Sequence, residues 1–391
     1  MRRIAVVGAG IIGASVAFRL ARSEEACVWV IDRSRPGTGT TSASFAWVNA
    51  NEKTPRDYFE LNRAGLEEHF RLRDALPGGA PWLNSGGNLE WAEDEIALEK
   101  LRRRVERLRS WGYAAEWWEA SWVNEVMEPG VAFPSPYTPV AFFPREAWVN
   151  APQLASALVR FACRNGAEAR FGTAVEAIET RGERVTAVRL QGGERLPVDA
   201  VVNAAGPEAD RVAALLGRSL PLKPSEGLLL RLAVEGNPLG RILHSPRVDV
   251  RPDGPGHVLV HRGSIDRKLE ADFTKPKDSL YSELLERVWQ VVPALENARV
   301  KGTRVGVRPM PEDGFSCVGA VSEIPGYYEA VAHSGVTLGP LLGRLLAREV
   351  LTGEVDPLAA PFRPDRFARS KVYQKGARHG ARKPLGQVGR R

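Results

Sequence analysis

Three glycines near the amino terminus have the spacing of a nucleotide-binding turn. Gly8, Gly10 and Gly13 form a G-x-G-x-x-G pattern between a β-branched run at residues 4–7 and an apolar segment that continues to about residue 22. In such a turn the first glycine allows the bend, the second lets the backbone approach a pyrophosphate, and the third lets helix and strand pack closely. The pyrophosphate would lie at the amino end of the helix, where free N–H groups and the helix dipole favour an anion. The segment therefore predicts a dinucleotide site.

A carboxylate and a run of hydroxyls follow the glycines. The next apolar strand, CVWVID, ends in Asp32, where a βαβ unit places an acceptor for the adenosine ribose. This acid disfavours NADP, because a 2′-phosphate would meet a like charge, but it does not separate NAD from FAD. Thr40, Thr41, Ser42 and Ser44 can hydrogen-bond a diphosphate and a ribityl chain, which favours FAD. An NAD-linked dehydrogenase stays open as the alternative.

The elements that must position these residues alternate along a chain of 391 residues, a length typical of two or three domains. Residues 94–112 carry Ile96, Leu101, Val105 and Leu108 at helical spacing. In contrast, EGLLLRLAV and RVDVRPDGPGHVLVHRG are typical of strands, and the second predicts a hairpin that turns at residues 253–256. Strands and helices in alternation predict a mixed α/β fold.

The net charge of +7 comes from one end of the chain. Residues 363–391 contain ten Lys and Arg against one acid, whereas residues 1–362 contain 44 basic and 46 acidic side chains. The Gly-rich, basic segment 363–391 has no apolar period and predicts a disordered, solvated tail. Such a tail could contact RNA or an anionic membrane weakly, in a salt-dependent way. No specific nucleic-acid partner is expected.

The sequence predicts no transmembrane helix, no disulfide framework and no metal site. The apolar run from residue 4 to residue 18 resembles a signal peptide, but it contains the three spaced glycines and is too short to cross a bilayer. No other segment predicts a transmembrane helix. Cys27, Cys163 and Cys317 lie far apart, and the six histidines show no metal-ligand spacing, so neither a disulfide framework nor a metal is expected. These features favour a reducing compartment, the cytoplasm.

Three later segments complete a longer pattern. In the first segment, VDAVVNAAGPEADRVAALLG, a strand ends in Ala204-Ala205-Gly206. The second segment, RVGVRPMPEDGFSCVGAV, contains Arg308-Pro309. A strand, a turn and a helix are predicted for the third segment, YYEAVAHSGVTLGPLLGRLLAREVLTGE. With the glycine turn, these segments resemble the FAD-dependent D-amino acid oxidase superfamily, in its glycine oxidase, sarcosine oxidase and D-amino acid dehydrogenase branch. The likeness runs in order along almost the whole chain before the tail.

The resemblance implies a Rossmann-like FAD-binding domain built from residues 1–85, 146–215 and 305–362. An interleaved α+β substrate domain on a mixed or antiparallel sheet would come from residues 86–145 and 216–304. FAD would be bound non-covalently, because Cys317 is offset from the position at which some sarcosine oxidases tether their flavin. The residues that the resemblance places at the cofactor are Gly8, Gly10, Ile11, Ile12, Gly13, Asp32, Arg33, Thr40, Thr41, Ser42, Ser44, Val175, Ala204, Ala205, Gly206, Gly335, Val336, Thr337 and Leu338.

The implied reaction is oxidation of the C–N bond of a small amino acid or related amine. A hydride passes to flavin N5, the imine is hydrolysed, and O₂, a quinone or another carrier takes the electrons. Arg308 would clamp the substrate carboxylate through a bidentate fork, and His333 is the second catalytic candidate. Structural roles are favoured for His244 and His261. Besides the NAD-linked dehydrogenase, a non-catalytic flavoprotein that acts in assembly stays open.

Overall fold

A computed structural model of the chain describes residues 1–76, 81–269 and 276–367. In these residues the strands, in chain order, are β1 (Arg2–Val7), β2 (Ala26–Asp32), β3 (Trp47–Val48), β4 (Leu83–Asn84), β5 (Asn88–Trp91), β6 (Glu116–Glu119), β7 (Pro139–Phe143), β8 (Ala147–Val149), β9 (Glu168–Phe171), β10 (Val175–Arg181), β11 (Arg184–Leu190), β12 (Arg195–Pro197), β13 (Ala200–Asn203), β14 (Leu222–Ala233), β15 (Ile242–His244), β16 (Asp249–Pro252), β17 (His257–His261), β18 (Arg299–Pro311), β19 (Cys317–Ala320) and β20 (Tyr327–Val331). The α-helices of the same residues are α1 (Ile11–Leu20), α2 (Arg56–Ala75), α3 (Glu95–Ser110), α4 (Ala120–Trp122), α5 (Ala151–Arg164), α6 (Ala209–Ala214), α7 (Gly263–Asp266), α8 (Asp278–Val291) and α9 (Gly335–Thr352).

The first sheet has the strand order β19-β20-β13-β1-β2-β9 and is parallel except for β19. β13 and β20 are buried along their whole length, as expected for parallel strands covered on both faces. The helices α1 and α9 pack closely against each other, because a Cβ on Gly343 would lie only 2.6 Å from the backbone of Ser15. The first turns of both helices therefore lie at the carboxyl end of β1, where open α/β sheets bind ligands.

The second sheet is larger and mixed. Its order is β18-β14-β17-β16-β15-β5-β7-β6, antiparallel at every step except β15 with β5. The expected α/β fold with a mixed sheet is thus confirmed. β18 continues in this sheet to Pro311, beyond the predicted boundary at residue 305, so Arg308 belongs to the second sheet. Two small sheets, β10-β11-β12 and β3-β8-β4, complete the strands.

The sequence located some elements better than others. The hairpin turn at residues 253–256 joins β16 to β17, as predicted. Ile96, however, is 72% exposed and does not belong to the buried face of α3, because Leu98 begins the buried series that Leu101, Val105 and Leu108 continue. The spacing from Leu98 fits the helix period equally well, so periodicity alone did not choose between the two residues.

The predicted tail begins too early. Arg363 pairs with Glu349 at 2.6 Å, and Arg366 pairs with Asp313 at 2.6 Å within a short 3₁₀ turn. Residues 363–367 therefore belong to the folded part of the chain, and the rest of the predicted tail lies outside the described residues. Among the described residues, no helix is long and apolar enough to cross a membrane, and no cluster of His, Cys, Asp and Glu could hold a metal ion.

Candidate functional site

A cavity of about 990 Å³ separates the two sheets. One side is the glycine turn with the first turns of α1 and α9, and the other side is one face of the second sheet. Thirteen of the site residues predicted from sequence border this cavity, and they come from segments as far apart as the two ends of the folded chain: Gly10, Ile11, Ile12, Thr40, Thr41, Ser44, Ala204, Gly206, Arg308, His333, Gly335, Val336 and Thr337.

The glycine turn is tightly built. Gly8 has a φ of +105°, and a Cβ there would lie 2.3 Å from the carbonyl oxygen of Ala204. A Cβ on Gly13 would lie 1.9 Å from the carbonyl oxygen of Gly8. Gly10 faces the cavity instead, and its nearest neighbour would be Thr41 Oγ1 at 3.2 Å. Two glycines thus allow the turn to close, while the third leaves the backbone open to a ligand.

Asp32 stabilises this turn from behind. Its carboxylate accepts hydrogen bonds from the backbone N–H groups of Ala9 and Ser34, both at 2.7 Å. Asp32 does not border the cavity, and neither does Arg33, which lies 3.6 Å from Glu208 and is half exposed. In this arrangement Asp32 holds the glycine turn against β2, a role that the sequence analysis did not anticipate.

The predicted hydroxyls mostly bond the protein itself. Thr41 Oγ1 accepts from the Ile11 N–H at 3.0 Å, and Thr40 donates to the carbonyl of Val307 at 2.7 Å. Ser42 donates to the carbonyl of Gly39, and Ser44 accepts from the Ala46 N–H. Ser42 does not border the cavity, whereas the other three residues do. The run therefore shapes the cavity wall more than it supplies free donors.

Two helix amino termini meet at the cavity. A Cβ on Gly335 would have Ile12 as its nearest neighbour, at 3.5 Å, so the first turns of α9 and α1 are adjacent. Burial lowers the pKa of His69 to about 4, and the neutral imidazole lies 2.8 Å from the carbonyl of Val336. The first N–H groups of each helix have no partner within the helix and can stabilise anionic oxygens. Of the four residues predicted here, only Leu338 is fully buried away from the cavity.

A row of five side chains, four of them polar, crosses the face of the second sheet that borders the cavity. Neighbouring strands place these residues in direct register, and side chains in register share one face of a sheet. From β14 to β5, the row consists of Leu229, His261, Asp249, His244 and Glu90. All five border the cavity. The expected structural roles of His244 and His261 are therefore incomplete, because both histidines form the cavity wall.

Arg308 joins this row at its β14 end. Its guanidinium donates to Asp266 Oδ2 at 2.7 Å and to the carbonyl of Glu226 at 3.0 Å. A Cβ on Gly227 would lie 2.2 Å from Arg308 Nη2, so the guanidinium lies directly over that glycine. Arg308 reaches the cavity as predicted, but with its charge already paired to a carboxylate that the sequence analysis did not identify.

The side chains around Arg308 carry one more positive charge than negative charge. Burial alone would lower the pKa of His261, but its hydrogen bonds to Asp249 at 3.3 Å and Asp266 at 2.9 Å outweigh burial and raise that pKa to about 9. At neutral pH, Arg308, Arg262 and His261 are therefore cationic against the two carboxylates. This end of the row attracts an anion such as a carboxylate.

His333 provides a neutral side chain in the same cavity. Burial, together with the positive charges of Lys53 and Arg308, lowers its pKa to about 4. Its imidazole is therefore uncharged at neutral pH and can accept a hydrogen bond.

Trp47 and Glu146 connect the two sides of the cavity. Trp47 packs on His244 with ring centroids 4.0 Å apart, and its carbonyl accepts from the Thr337 hydroxyl at 3.2 Å. Its indole N–H donates to the buried carboxyl of Glu146 at 2.7 Å, and Tyr113 donates to the same group at 2.8 Å. Burial raises the pKa of Glu146 to about 8. Glu146 could not be predicted from the sequence, since no motif marks an isolated buried acid.

The remaining predicted residues lie away from the cavity. Val175 packs in the apolar cluster around Ile31, and Ala205 borders the cluster around Ala209. Cys317 is fully buried beside Glu329, 3.4 Å away, and is not part of the cavity wall. Other cavity residues escaped prediction because their strands and helices carry no motif: Lys53, Glu90, Lys100, Arg104, Arg107, Asp249, Arg262 and Asp266.

The residues of the first side suit FAD. At Gly10 and Gly335 the cavity wall carries no Cβ, so a dinucleotide bound there would contact the amino end of α1 through its diphosphate and the amino end of α9 through a ring oxygen. Both contacts need backbone N–H donors, which two adjacent helix amino termini provide.

Comparison with known proteins agrees with this geometry. A family model described as FAD dependent oxidoreductase (DAO) matches residues 3–349. Glycine oxidase of Geobacillus kaustophilus (strain HTA426) is 29% identical over 377 residues, which cover 92% of this chain and 95% of that protein. Hydrogen cyanide synthase subunit HcnC of Pseudomonas aeruginosa is 25% identical over 418 residues, covering 93% and 96% of the two chains. The crystal structure of glycine oxidase from Geobacillus kaustophilus superimposes with a TM-score of 0.82 at 26% identity and covers 93% of this chain and 98% of its own.

Proposed function

Because the chain belongs to the DAO family of FAD-dependent oxidoreductases, we propose that it oxidises the C–N bond of a small amino acid or related amine. It is thus an enzyme with FAD as its cofactor, which replaces the NAD-linked and non-catalytic alternatives. The observation that carries the proposal is this cavity, which brings two helix amino termini opposite a guanidinium and two histidines. When bound, FAD supplies the acceptor for the hydride that leaves the carbon bearing the amine.

The substrate carboxylate binds at the Arg308 end of the row. Arg308, Arg262 and His261 carry one more charge than Asp249 and Asp266 neutralise, so the region favours one added anion. Asp266 holds the guanidinium in place over Gly227, which limits its rotamers before the substrate arrives. A pre-positioned fork orients the substrate carbon with less entropy loss than a free side chain would.

The substrate amine binds near His333. Because the His333 imidazole is uncharged at neutral pH, it accepts a hydrogen bond from the amine without repelling an ammonium. His244 borders the same space, and its Nδ1 lies 2.7 Å from Asn88 Oδ1, which fixes the ring. After oxidation the imine is released to water, and O₂, a quinone or another carrier receives the electrons.

The non-covalent attachment of FAD is part of the proposal. Cys317 is fully buried, lies outside the cavity wall and has a pKa that burial raises well above its usual value. A thiolate that forms with difficulty makes a poor nucleophile for a flavin tether. Denaturation in acid should therefore release free FAD into the supernatant, and retained colour in the precipitate would contradict this point.

The decisive experiment is anaerobic titration of the purified holoenzyme with D-amino acids, L-amino acids, glycine, sarcosine and proline. Bleaching of the flavin band identifies the substrate, and recovery on admission of air identifies O₂ as an acceptor. In Arg308→Lys the FAD content should stay unchanged while the Kd of the substrate rises about tenfold or more, because lysine cannot form the fork. Arg299→Lys, at the exposed start of the same strand, is the matched control. If no amine bleaches the flavin, the proposed function is wrong.

A further inference from the structure

One face of α3 places cationic side chains at the Glu90 end of the row, opposite the Arg308 end. Lys100, Arg104 and Arg107 recur at intervals of four and three residues, the spacing that places side chains on one face of a helix. All three border the cavity, and Lys53, which precedes α2, borders it as well. The proposed amine oxidation uses none of these four side chains.

Most of this positive charge is not paired. Arg104 is the exception, since it binds Glu52 at 2.8 Å and also contacts Glu90. In the described parts of the chain, the side chains of Lys53 and Lys100 form no ion pair and no hydrogen bond. The Nε atom of Arg107 is buried without a hydrogen-bond partner. Four cations therefore face two carboxylates at this end of the cavity.

Three of the four cations, all except the exposed Lys100, are also partly removed from water. Lys53 is half-buried, and burial lowers its pKa more than the charges of Glu52 and Glu146 raise it. A neutral or cationic substrate group would leave this charge uncompensated in a medium that screens poorly, whereas a carboxylate would compensate it. The chemistry of this end of the cavity therefore favours a second anion.

The two anion-attracting ends lie on one wall. From His261, next to Arg308, to Glu90, next to Arg104, the row crosses three strand spacings, or about 14 Å of backbone. Lys53 and Arg308 both border the cavity with His333, and both lie close enough to lower the pKa of His333, so the side chains from the two ends reach into the space between the backbones. A molecule with one carboxylate leaves one end empty, and a molecule with two can engage both.

We propose that Lys53, Lys100 and Arg107 form a second anion subsite and that the substrate is an amino acid carrying a second carboxylate. The inference rests on the proposed amine oxidation, in which Arg308 takes the first carboxylate. The second carboxylate lies on the substituent of the nitrogen or on the side chain, and the substrate test below separates these two cases.

Equilibrium binding to the holoenzyme tests the subsite without turnover. Oxydiacetate and methoxyacetate have no C–N bond, and their binding can be followed as a shift of the flavin absorbance. We expect oxydiacetate to bind at least about tenfold more tightly than methoxyacetate. In Lys100→Gln and in Arg107→Gln this ratio should fall about fivefold, as expected for loss of one partly screened charge. Arg103→Gln, an exposed residue of α3 that pairs with Glu99, is the control and should keep the ratio.

The outcomes separate the subsite from the reaction. Equal affinity for the two acids, or a ratio that neither variant changes, overturns the subsite. If glycine or sarcosine bleaches the flavin while oxydiacetate shows no preference, only the subsite fails. If oxydiacetate binds preferentially while no amine bleaches the flavin, the amine oxidation fails and the subsite stands. Faster bleaching by iminodiacetate than by either enantiomer of glutamate places the second carboxylate on the nitrogen substituent, and the reverse places it on the side chain.

Discussion

The end of the cavity proposed for the dinucleotide (the nucleotide end) and the end proposed for the substrate (the substrate end) are built from different groups. At the nucleotide end, three glycines within six residues and the amino termini of α1 and α9 present backbone N–H groups. At the proposed substrate end, polar and charged side chains come from β5, β15, β16, β17 and β18 and from α3, which span more than two hundred positions of the chain. The first end depends on the absence of Cβ atoms, and the second depends on how charged side chains are arranged in space.

This difference predicts different weaknesses. Backbone donors are held by helices and lose little entropy on binding, but an added Cβ can block them. Side-chain charges tolerate small steric changes, because long side chains can move, but the loss of one partner leaves another charge buried and unpaired. The four substitutions below test this contrast, beginning with the largest expected effect.

Gly13→Ala should have the largest effect, at the nucleotide end. The new Cβ would lie 1.9 Å from the carbonyl oxygen of Gly8, and backbone cannot move aside without opening the turn. We expect about 3 kcal/mol or more of lost stability and loss of bound FAD, measured by urea unfolding and by the flavin-to-protein absorbance ratio. Gly302→Ala is the control, because a Cβ there meets no atom within 4 Å. Equal behaviour of the two variants would mean that the turn is not tightly built.

Glu146→Gln tests the buried acid between the two ends. Because the folded protein keeps this carboxyl protonated up to about pH 8, whereas an unfolded Glu ionises near pH 4.5, stability should fall as the pH rises through that window. Glutamine cannot ionise, so the fall in the free energy of unfolding between pH 5 and pH 8 should shrink by about 3 kcal/mol. Glu119→Gln, an exposed acid of β6, should leave the pH dependence as it is. An unaltered slope in Glu146→Gln would show that the carboxyl is ionised.

Asp266→Asn tests charge pairing at the substrate end. The raised pKa of His261 contributes stability that is complete below about pH 6.5 and disappears as the pH rises through about 9. Without the Asp266 charge, that pKa falls and the loss shifts to lower pH, with about 2 kcal/mol less stability at pH 8. Urea unfolding from pH 6 to pH 10 measures the shift, and Asp313→Asn, which breaks an exposed pair with Arg366, is the control. The same midpoint in both variants would remove His261 from the ionic network.

Gly227→Ala should have the smallest effect on stability, and it mirrors the first substitution. Its Cβ would lie 2.2 Å from Arg308 Nη2, which is the far end of a flexible side chain. We expect less than about 1 kcal/mol of lost stability and normal FAD content, with weaker substrate binding because the guanidinium leaves Asp266. A loss of stability as large as in Gly13→Ala would end the contrast between the two ends of the cavity.

The sequence by itself determined the nucleotide end. A glycine is favoured where φ is positive or where a Cβ has no room, so the residue type at Gly8 and Gly13 already indicates a tight turn. The hairpin at residues 253–256 was predictable for the same reason, because turns demand particular residues. The order of the later motifs identified the family, which the comparisons confirm.

Only the tertiary structure decided the substrate end. Arg308 is visible in its motif, but its pairing with Asp266, 42 positions earlier, is not, and neither is the register that aligns His261, Asp249 and His244 across three strands. Likewise, the sequence of the basic face of α3 is typical of a solvated helix. Only the fold shows that this face borders the cavity together with β5 and the segment before α2. Charge acts through space and carries no local signature, whereas backbone conformation is imposed residue by residue. The sequence therefore predicts where the cofactor binds, and the fold decides which charges the substrate meets.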